Sequence, residues 1–167
     1  MKKSVRIVLS ISLVLNVFFA YKWYEQSQSV KNIYYDVLNK TIRVSSFLTN
    51  ENPDLEENKD ILFRYFSEAT HSVEIAIGMD QNGENVPVSY DEAYEMKSFN
   101  EVLEIKYLPF FERIKHSDEP PSQEDIEIYN ELISKLEKAD FPNSLITDDL
   151  WDDYMKAVRE FVDLEGR

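Results

Sequence analysis

The sequence lacks several residue types, and each scarcity excludes a class of site. Its 167 residues include no Cys, which excludes disulfides, thiolate metal sites, cysteine nucleophiles and a lipoprotein anchor. Only three Gly residues occur, which excludes glycine-rich phosphate-binding loops. Basic residues are also few, with 18 Lys and Arg against 32 Asp and Glu, so the formal net charge is −14. Because a chain this acidic repels phosphate, we predict no nucleic-acid partner.

The most distinctive segment is a hydrophobic run near the N-terminus. Residues 7–21 contain no charged side chain, and Lys2, Lys3 and Arg6 precede them. A run of 15 residues lies between the core of a signal peptide and a full membrane span. The alternatives are an uncleaved anchor, a cleaved signal peptide and a core helix, of which the last is least favoured by the basic flank.

Two features favour the uncleaved anchor. Signal peptidase needs small residues at the third and first positions before the cut, and Phe18 is too large for the only cut that follows the run closely. Arg6 and Lys22 can extend their charges towards water and lengthen the effective span, and residues 21–24 supply three aromatic side chains for the membrane boundary. We therefore predict a membrane contact through residues 7–21.

The charge distribution predicts the orientation of this anchor. Cations are concentrated before the run, so residues 1–24 are predicted to form a cytoplasmic stub and transmembrane anchor, and residues 25–167 an extracytoplasmic domain. Four of the 18 cations precede residue 23 and all 32 acidic residues follow it, which leaves a net charge of −18 on the exported part. Anionic lipid would repel such a domain.

After the run, apolar residues recur in steps of three and four, which is typical of helices. With no Gly or Pro to interrupt it, the first helix is predicted to continue to about Leu48. Its stripe over residues 30–48 is interpreted as the core face of an intramolecular bundle, and the alternative is a seam between copies in a homo-oligomer. The predicted fold class is all-α, with an N-terminal transmembrane helix continuing into a four- to five-helix bundle.

Start signals predict the later helices. Pro109 lies inside the third of them and predicts a kink or break near residues 107–109. The predicted N-caps are Asn52 (followed by Pro53), Ser89 with Glu92 as a capping box, Ser122 and Thr147. The predicted inward positions include Leu62, Phe66, Ala69, Val73, Met96, Leu103, Tyr107, Phe110, Phe111, Ile114, Ile126, Tyr129, Leu132, Leu136, Tyr154, Val158 and Phe161.

The two histidines are the first candidates for a metal site. Glu68 and His71 have the Glu-x-x-His spacing of di-iron bundles, but Glu112 and His116 are one residue too far apart to provide the second such motif. We interpret His71 as a partly exposed helix residue. His116 is interpreted as a favourable cation at the end of a helix.

Two acidic segments are candidates for cation binding. In the segment from Asp80 to Asp91, Gly83 lies two positions before the place where an EF-hand loop needs its glycine, so a polar turn is predicted. The second segment is an acidic ladder at the start of the last helix, where the helix dipole favours anions, and weak non-specific cation binding is the alternative. Its members are Asp148, Asp149, Asp152 and Asp153.

No catalytic, cofactor or metal site is therefore predicted, and no Gly-x-Ser-x-Gly motif occurs. Tyr35, Tyr90 and Tyr94 are predicted to lie away from the core, where they could contribute to a binding surface. We predict a single-pass membrane protein whose helical module binds a protein partner or serves as an accessory protein of the cell envelope. A small-ligand-binding or sensor-like bundle is the alternative, and an enzyme comes third.

Overall fold

In the computed structural model of the protein, the described residues are 2–81, 89–142 and 150–166, and side chains are described for all of these except 2–14, 26–34, 79–81 and 90. Over these ranges the chain is helical, without strands, and the all-α bundle is confirmed. The described elements are α1 (Lys2–Ser46), a first π turn (Phe47–Glu51), α2 (Lys59–Gln81), α3 (Tyr90–Val102), a second π turn (Leu103–Tyr107), α4 (Leu108–His116), α5 (Gln123–Ala139) and α6 (Leu150–Leu164).

The chain divides into two compact units, residues Met1–Tyr34 and residues Tyr35–Arg167. Helix α1 runs unbroken to Ser46, which confirms the long first helix. Among the described residues no helix is both long enough and apolar enough to cross a membrane. The transmembrane helix predicted at 7–21 is thus not supported by the structure. Residues 7–14 of that prediction are among those whose side chains are not described.

The start of α2 differs from the prediction. Asn52 has a φ of 42°, a left-handed conformation that ends the first π turn, whereas an N-cap residue needs an extended backbone. Asp54 instead caps the turn over residues 55–58 that precedes α2, and its Oδ1 accepts hydrogen bonds of 2.9 Å from the backbone N–H groups of Glu56 and Glu57. Pro53 therefore lies between two helices and not in the first turn of one. Its carbonyl oxygen accepts a 2.7 Å hydrogen bond from the buried Tyr129 hydroxyl.

The predicted irregularity near Pro109 takes the form of a π turn. Proline has no N–H for the carbonyl of residue 105 and its ring would clash with that carbonyl in a regular helix. The second π turn widens the helix immediately before it, and the Leu108 N–H bonds to the Leu103 carbonyl, five residues back. One predicted helix thus becomes α3 and α4, and the described chain has six helices where four or five were predicted.

Side-chain caps at two of the helix starts are confirmed. Ser89 and Glu92 form a full capping box at α3, with hydrogen bonds of 3.3 and 2.7 Å. Ser122 caps α5 in the same manner. At the C-terminal end of α6, Gly166 adopts a φ of 81°, as expected of a glycine that ends a helix. The predicted cap at Thr147 lies outside the described residues.

Aromatic side chains of α2, α3, α4, α6 and the second π turn pack together in the core. Phe66 stacks on Phe111 with 4.3 Å between ring centres, and Phe99 meets Phe161 edge-on at 5.6 Å. The predicted inward positions named above are buried except Ile126, which is 40% exposed, and Ala93, which was also predicted to face inwards, is only half-buried. The α5 helix instead buries Asp125, whose carboxylate has hydrogen-bond partners there, and the next residue consequently points outwards.

The C-terminal part of the 30–48 stripe is buried within its own chain. Val37, Thr41, Val44 and Leu48 are all inaccessible or nearly so, which supports the intramolecular interpretation for these positions. The side chains of residues 30–34 are not described. A homo-oligomer formed through the stripe stays a prediction that the structure does not test.

Candidate functional site

The most connected polar site in the described residues is a cluster around Glu165. Its carboxylate, only 6% exposed, accepts hydrogen bonds from Lys106 Nζ at 2.7 Å and from the Tyr107 hydroxyl, and it lies 3.1 Å from Lys135 Nζ. Glu131 adds a second carboxylate 2.5 Å from Lys135. Lys106 and Tyr107 end the second π turn, so this "Glu165 cluster" ties that turn to α5 and to the end of α6.

The electrostatics of the Glu165 cluster keep its acid ionised. Burial alone would raise the pKa of Glu165, but the hydrogen bonds from Lys106, Tyr107 and Lys135 lower it below its ordinary value. Burial and the contact with Glu165 raise the pKa of the Tyr107 phenol well above its ordinary value. The cluster is thus a carboxylate held by two ammonium groups and one neutral phenol.

A second polar cluster joins α4 to α5. Arg113 Nη2 lies 2.5 Å from Asp125 Oδ1, and the other carboxylate oxygen accepts hydrogen bonds from the Ser122 N–H and hydroxyl at 2.9 and 2.8 Å. The Arg113 hydrogen bond is the main cause that lowers the pKa of Asp125 to about 2, and burial opposes it. One side chain therefore caps its own helix and pairs with the preceding one.

A third polar cluster joins α3 to α6. Trp151 Nε1 donates a 3.0 Å hydrogen bond to Glu92 Oε1, and Arg159 Nε lies 2.6 Å from Glu95 Oε2. Burial would raise the pKa of Glu92, but hydrogen bonds from Ser89 and Trp151 lower it. The capping box at the start of α3 is thereby extended across to a neighbouring helix.

These clusters have the chemistry of structural braces. Every resolved carboxyl pKa shift in the described residues is downward, whereas a general acid at neutral pH needs a raised pKa. Sequence reasoning missed the Glu165 cluster, because Lys106 and Tyr107 lie 59 and 58 residues before Glu165 and no local motif links them to it. Only the local Ser122-x-x-Asp125 spacing could have indicated part of the second cluster.

The histidines and acidic segments are placed as follows. His71 is exposed and lies 3.7 Å from Glu74, and His116 is exposed at the end of α4, as predicted for both. Within the described part of the chain, no group of three or more His, Asp or Glu side chains could hold a metal ion. Residues 82–88, where a polar turn was predicted, and the ladder residues Asp148 and Asp149 lie outside the described residues, while Asp152 and Asp153 are exposed.

The N-terminal unit exposes large apolar side chains on a helix. Leu15, Val17, Phe18 and Phe19 are 48%, 62%, 53% and 63% exposed. Successive helix residues are about 100° apart, so these four side chains cover an arc of about 200°, which is broader than a single stripe. Asn16 and Ala20 lie on the remaining side. Residues 21–24 continue the exposed segment with three aromatic side chains that are 60–70% exposed.

Two surface grooves are lined by described residues of the Tyr35–Arg167 unit. One of about 610 Å³ lies between the end of α5 and α6, with Lys138, Asp140, Lys156 and Glu160 among its charged lining residues. The other, of about 350 Å³, lies between α2 and the end of α4. Tyr35 and Tyr94 point outwards as predicted, and the side chain of Tyr90 is not described.

No known protein family, curated protein or solved structure matches the chain.

Proposed function

We propose that the protein is a single-pass membrane-tethered module whose acidic helical domain acts outside the cytoplasm by binding a protein partner. The observation that carries the tether is the apolar segment of the N-terminal unit, whose exposed side chains at Leu15, Val17, Phe18 and Phe19 cover more than half of the helix circumference. The preceding residues 7–14 extend it without a charge. The basic residues at positions 2, 3 and 6 support a cytoplasmic N-terminus.

The angular distribution of these side chains favours lipid as their surroundings. A helix that docks on one partner protein needs a single apolar stripe, because the partner covers one side. Lipid surrounds a helix completely and favours apolar residues at every angle. Trp23 and the two neighbouring tyrosines suit the boundary with water, where an apolar ring and a polar atom are both accommodated.

The interaction role rests on how the domain uses its polar groups. The Glu165 cluster and the two other polar clusters join helices, and each of their carboxylates forms a hydrogen bond or ion pair there. The remaining chemistry lies at the surface, which suits recognition of another protein. A small-ligand-binding bundle is the second candidate, and it is favoured by the 610 Å³ groove beside α6, whose volume is in the range of small-molecule sites.

Topology is tested by external protease on intact, wall-stripped cells. We expect digestion of residues 25–167 and retention of the N-terminal fragment in the membrane fraction. Complete protection would refute the orientation, and a soluble product that begins near residue 21 or 30 would show a cleaved signal peptide. The interaction role is tested by crosslinking and pull-down from native membranes, where a stoichiometric protein partner is expected. Recovery of the chain alone would favour the ligand-binding candidate.

A further inference from the structure

The apolar segment of the N-terminal unit contains one carboxamide, that of Asn16. Between positions 7 and 21 the other polar side chains are serines at 10 and 12 and a tyrosine at the boundary. The Asn16 side chain is exposed, and no hydrogen bond joins it to another described residue. The other side chains of residues 15–19 are large, apolar and 48–63% exposed. Asn16 is therefore an isolated polar group within an apolar surface.

In the membrane tether proposed above, Asn16 lies too deep for its short side chain to reach water. It is two residues from the midpoint of residues 7–21, which is about 3 Å along a helix. Its carboxamide has two N–H donors and an oxygen acceptor, and lipid tails offer a partner to none of them. The backbone of its own helix has carbonyl oxygens but no free N–H at this position, so the amide oxygen needs a donor from another helix.

The helix surface around Asn16 allows a second helix to approach closely. Ala20 lies one turn after Asn16 on the same face, and the residue one turn before it, at position 12, is a serine. Small residues beside a polar one are typical of helix contacts within membranes, because they let two backbones come close enough for the polar side chains to bond. Phe18 lies about 200° from Asn16, on the opposite side of the helix.

We propose that a second copy of the chain binds this face, so that two α1 helices pair in the membrane through Asn16. The proposal rests on the tether proposed above and adds an interface separate from the 30–48 stripe. A parallel copy in the same membrane brings its own Asn16 to the same depth. Each carboxamide is both a donor and an acceptor, so the two can bind each other reciprocally, as a two-fold symmetric interface requires.

The charge of the exported domains opposes this pairing without preventing it. Each copy carries a net charge of −18 after the apolar segment. At physiological ionic strength the Debye length is about 8 Å, so only charges that come close repel each other strongly. The hydrogen bonds between the carboxamides form where water and ions are absent and are not screened. The contact is therefore expected within the membrane and not between the acidic domains.

Because the chain has no Cys, crosslinking at a single introduced position is unambiguous. The full chain is reconstituted in phosphatidylcholine vesicles as Ala20→Cys, on the proposed face, or as Phe18→Cys, the matched control on the opposite side. Mild oxidation should yield a disulfide-linked dimer of Ala20→Cys at least about fivefold more abundant than that of Phe18→Cys, because a disulfide needs Cα atoms within about 7 Å of each other.

Two further variants test the carboxamide itself. In the Ala20→Cys background, Asn16→Leu should raise the protein-to-lipid ratio needed for half-maximal crosslinking by about 3- to 30-fold, the range expected for hydrogen bonds between membrane helices. Asn16→Gln keeps the carboxamide and should retain most of the crosslinking. Leucine is more apolar than asparagine and favours the membrane, so a lost dimer cannot reflect a lost tether.

Several results would overturn this interface. Equal crosslinking at positions 18 and 20 would show contact without a defined face, and no crosslinking at position 20 in vesicles that retain the chain would show that no dimer forms. Unchanged crosslinking of Asn16→Leu would remove the role of the carboxamide. In native membranes, a crosslink of Ala20→Cys to a protein of different mass in place of the dimer would replace the second copy with another membrane helix. Release of the chain from vesicles by an alkaline wash is a distinct result, which refutes the tether and this interface together.

Discussion

Residues 15–24 lie in α1, and residues 37–48 span its last turns and the first π turn, yet the two segments place their apolar side chains in opposite environments. Val17, Phe18 and Phe19 are more than half exposed, whereas Val37 and Leu48 have no exposed surface. Both segments are helical, and they differ in the angles at which apolar residues occur. The first segment has apolar side chains over more than half of its circumference, and the second has them mainly on the side that faces the bundle.

This difference shows what helix periodicity does and does not reveal about surroundings. A stripe directs burial towards one neighbour, and the bundle meets that requirement with its own chain. A helix that is apolar on all sides cannot satisfy every side chain against one protein surface. The five predictions below test the contrast between these two regions, and then the polar contacts of the buried one, from the largest expected effect to the smallest.

The sharpest test replaces one phenylalanine from each region. Phe111→Ala should lower the free energy of unfolding by about 3–5 kcal/mol, because Phe111 is fully buried and stacks on Phe66. Phe18→Ala should leave it unchanged, since that side chain is 53% exposed. Urea unfolding of the full chain in micelles measures both. Equal losses would mean that residue 18 is part of the core and would break the comparison.

The next test places a charge in the exposed segment. Leu15→Arg should weaken retention in the membrane by about 2.5–3.5 kcal/mol, the cost of an arginine near the centre of a bilayer helix, because residue 15 lies next to the midpoint of residues 7–21. Leu15→Ile is the matched control and should be retained normally. The measurement is the distribution between membrane and soluble fractions after an alkaline wash. Full retention of the arginine variant would count against lipid as the surroundings of residues 15–19.

Glu165→Gln tests the polar bracing of the buried region. We expect a loss of about 1–3 kcal/mol at neutral pH, because Lys106 and Lys135 lose the charge of the buried Glu165 carboxylate that they contact. Since folding lowers the pKa of Glu165, its contribution is present at neutral pH and is lost as the pH falls below the ordinary value of 4.5. Glu160→Gln, exposed on the same helix, is the control. A variant with unchanged stability and an unchanged acid limb would exclude this role.

Asp125→Asn should have a smaller effect, of about 1–2 kcal/mol at neutral pH, because Arg113 is 57% exposed and water screens the pair. The wild-type contribution should disappear as the pH falls from 3.8 towards about 2, the range between the ordinary and the lowered pKa of Asp125. Unfolding curves across that range measure it. Glu124→Gln, in the same helical turn, should not alter this part of the pH profile.

Pro109→Ala should have the smallest effect. The alanine restores an N–H and allows α3 and α4 to straighten, but a straighter helix would turn the buried Phe110, Phe111 and Ile114 out of their packing. The unfolded chain also gains freedom, so we expect a loss of about 0.4–1 kcal/mol. Thermal melting measures the change. An unchanged or raised melting temperature would show that the π turn does not serve to place these side chains.

Local signals predicted the helices well where one segment decides its own structure. The capping boxes at Ser89 and Ser122 need only residues within the first turn, and both are present. The start of α2 was mistaken because Asn52 is a good cap residue but here ends the preceding π turn, and a turn over residues 55–58 separates it from α2. That arrangement depends on the burial of Pro53 and Leu55, which is a tertiary feature.

The polar contacts between helices lay beyond sequence reasoning for a similar reason. Glu165 is one of many acids, and only folding brings Lys106, Tyr107 and Lys135 to it.

The Tyr154 hydroxyl lies 3.4 Å from Thr41 Oγ1, across 113 residues of chain. A ribosome that adds about 5–20 residues per second takes on the order of 6–23 s to synthesise that interval. During this time the apolar face of residues 37–48 has emerged without the α6 side chains that help to cover it. A nascent chain with such a delay is a substrate for chaperones, and its most hazardous interval ends only when α6 follows.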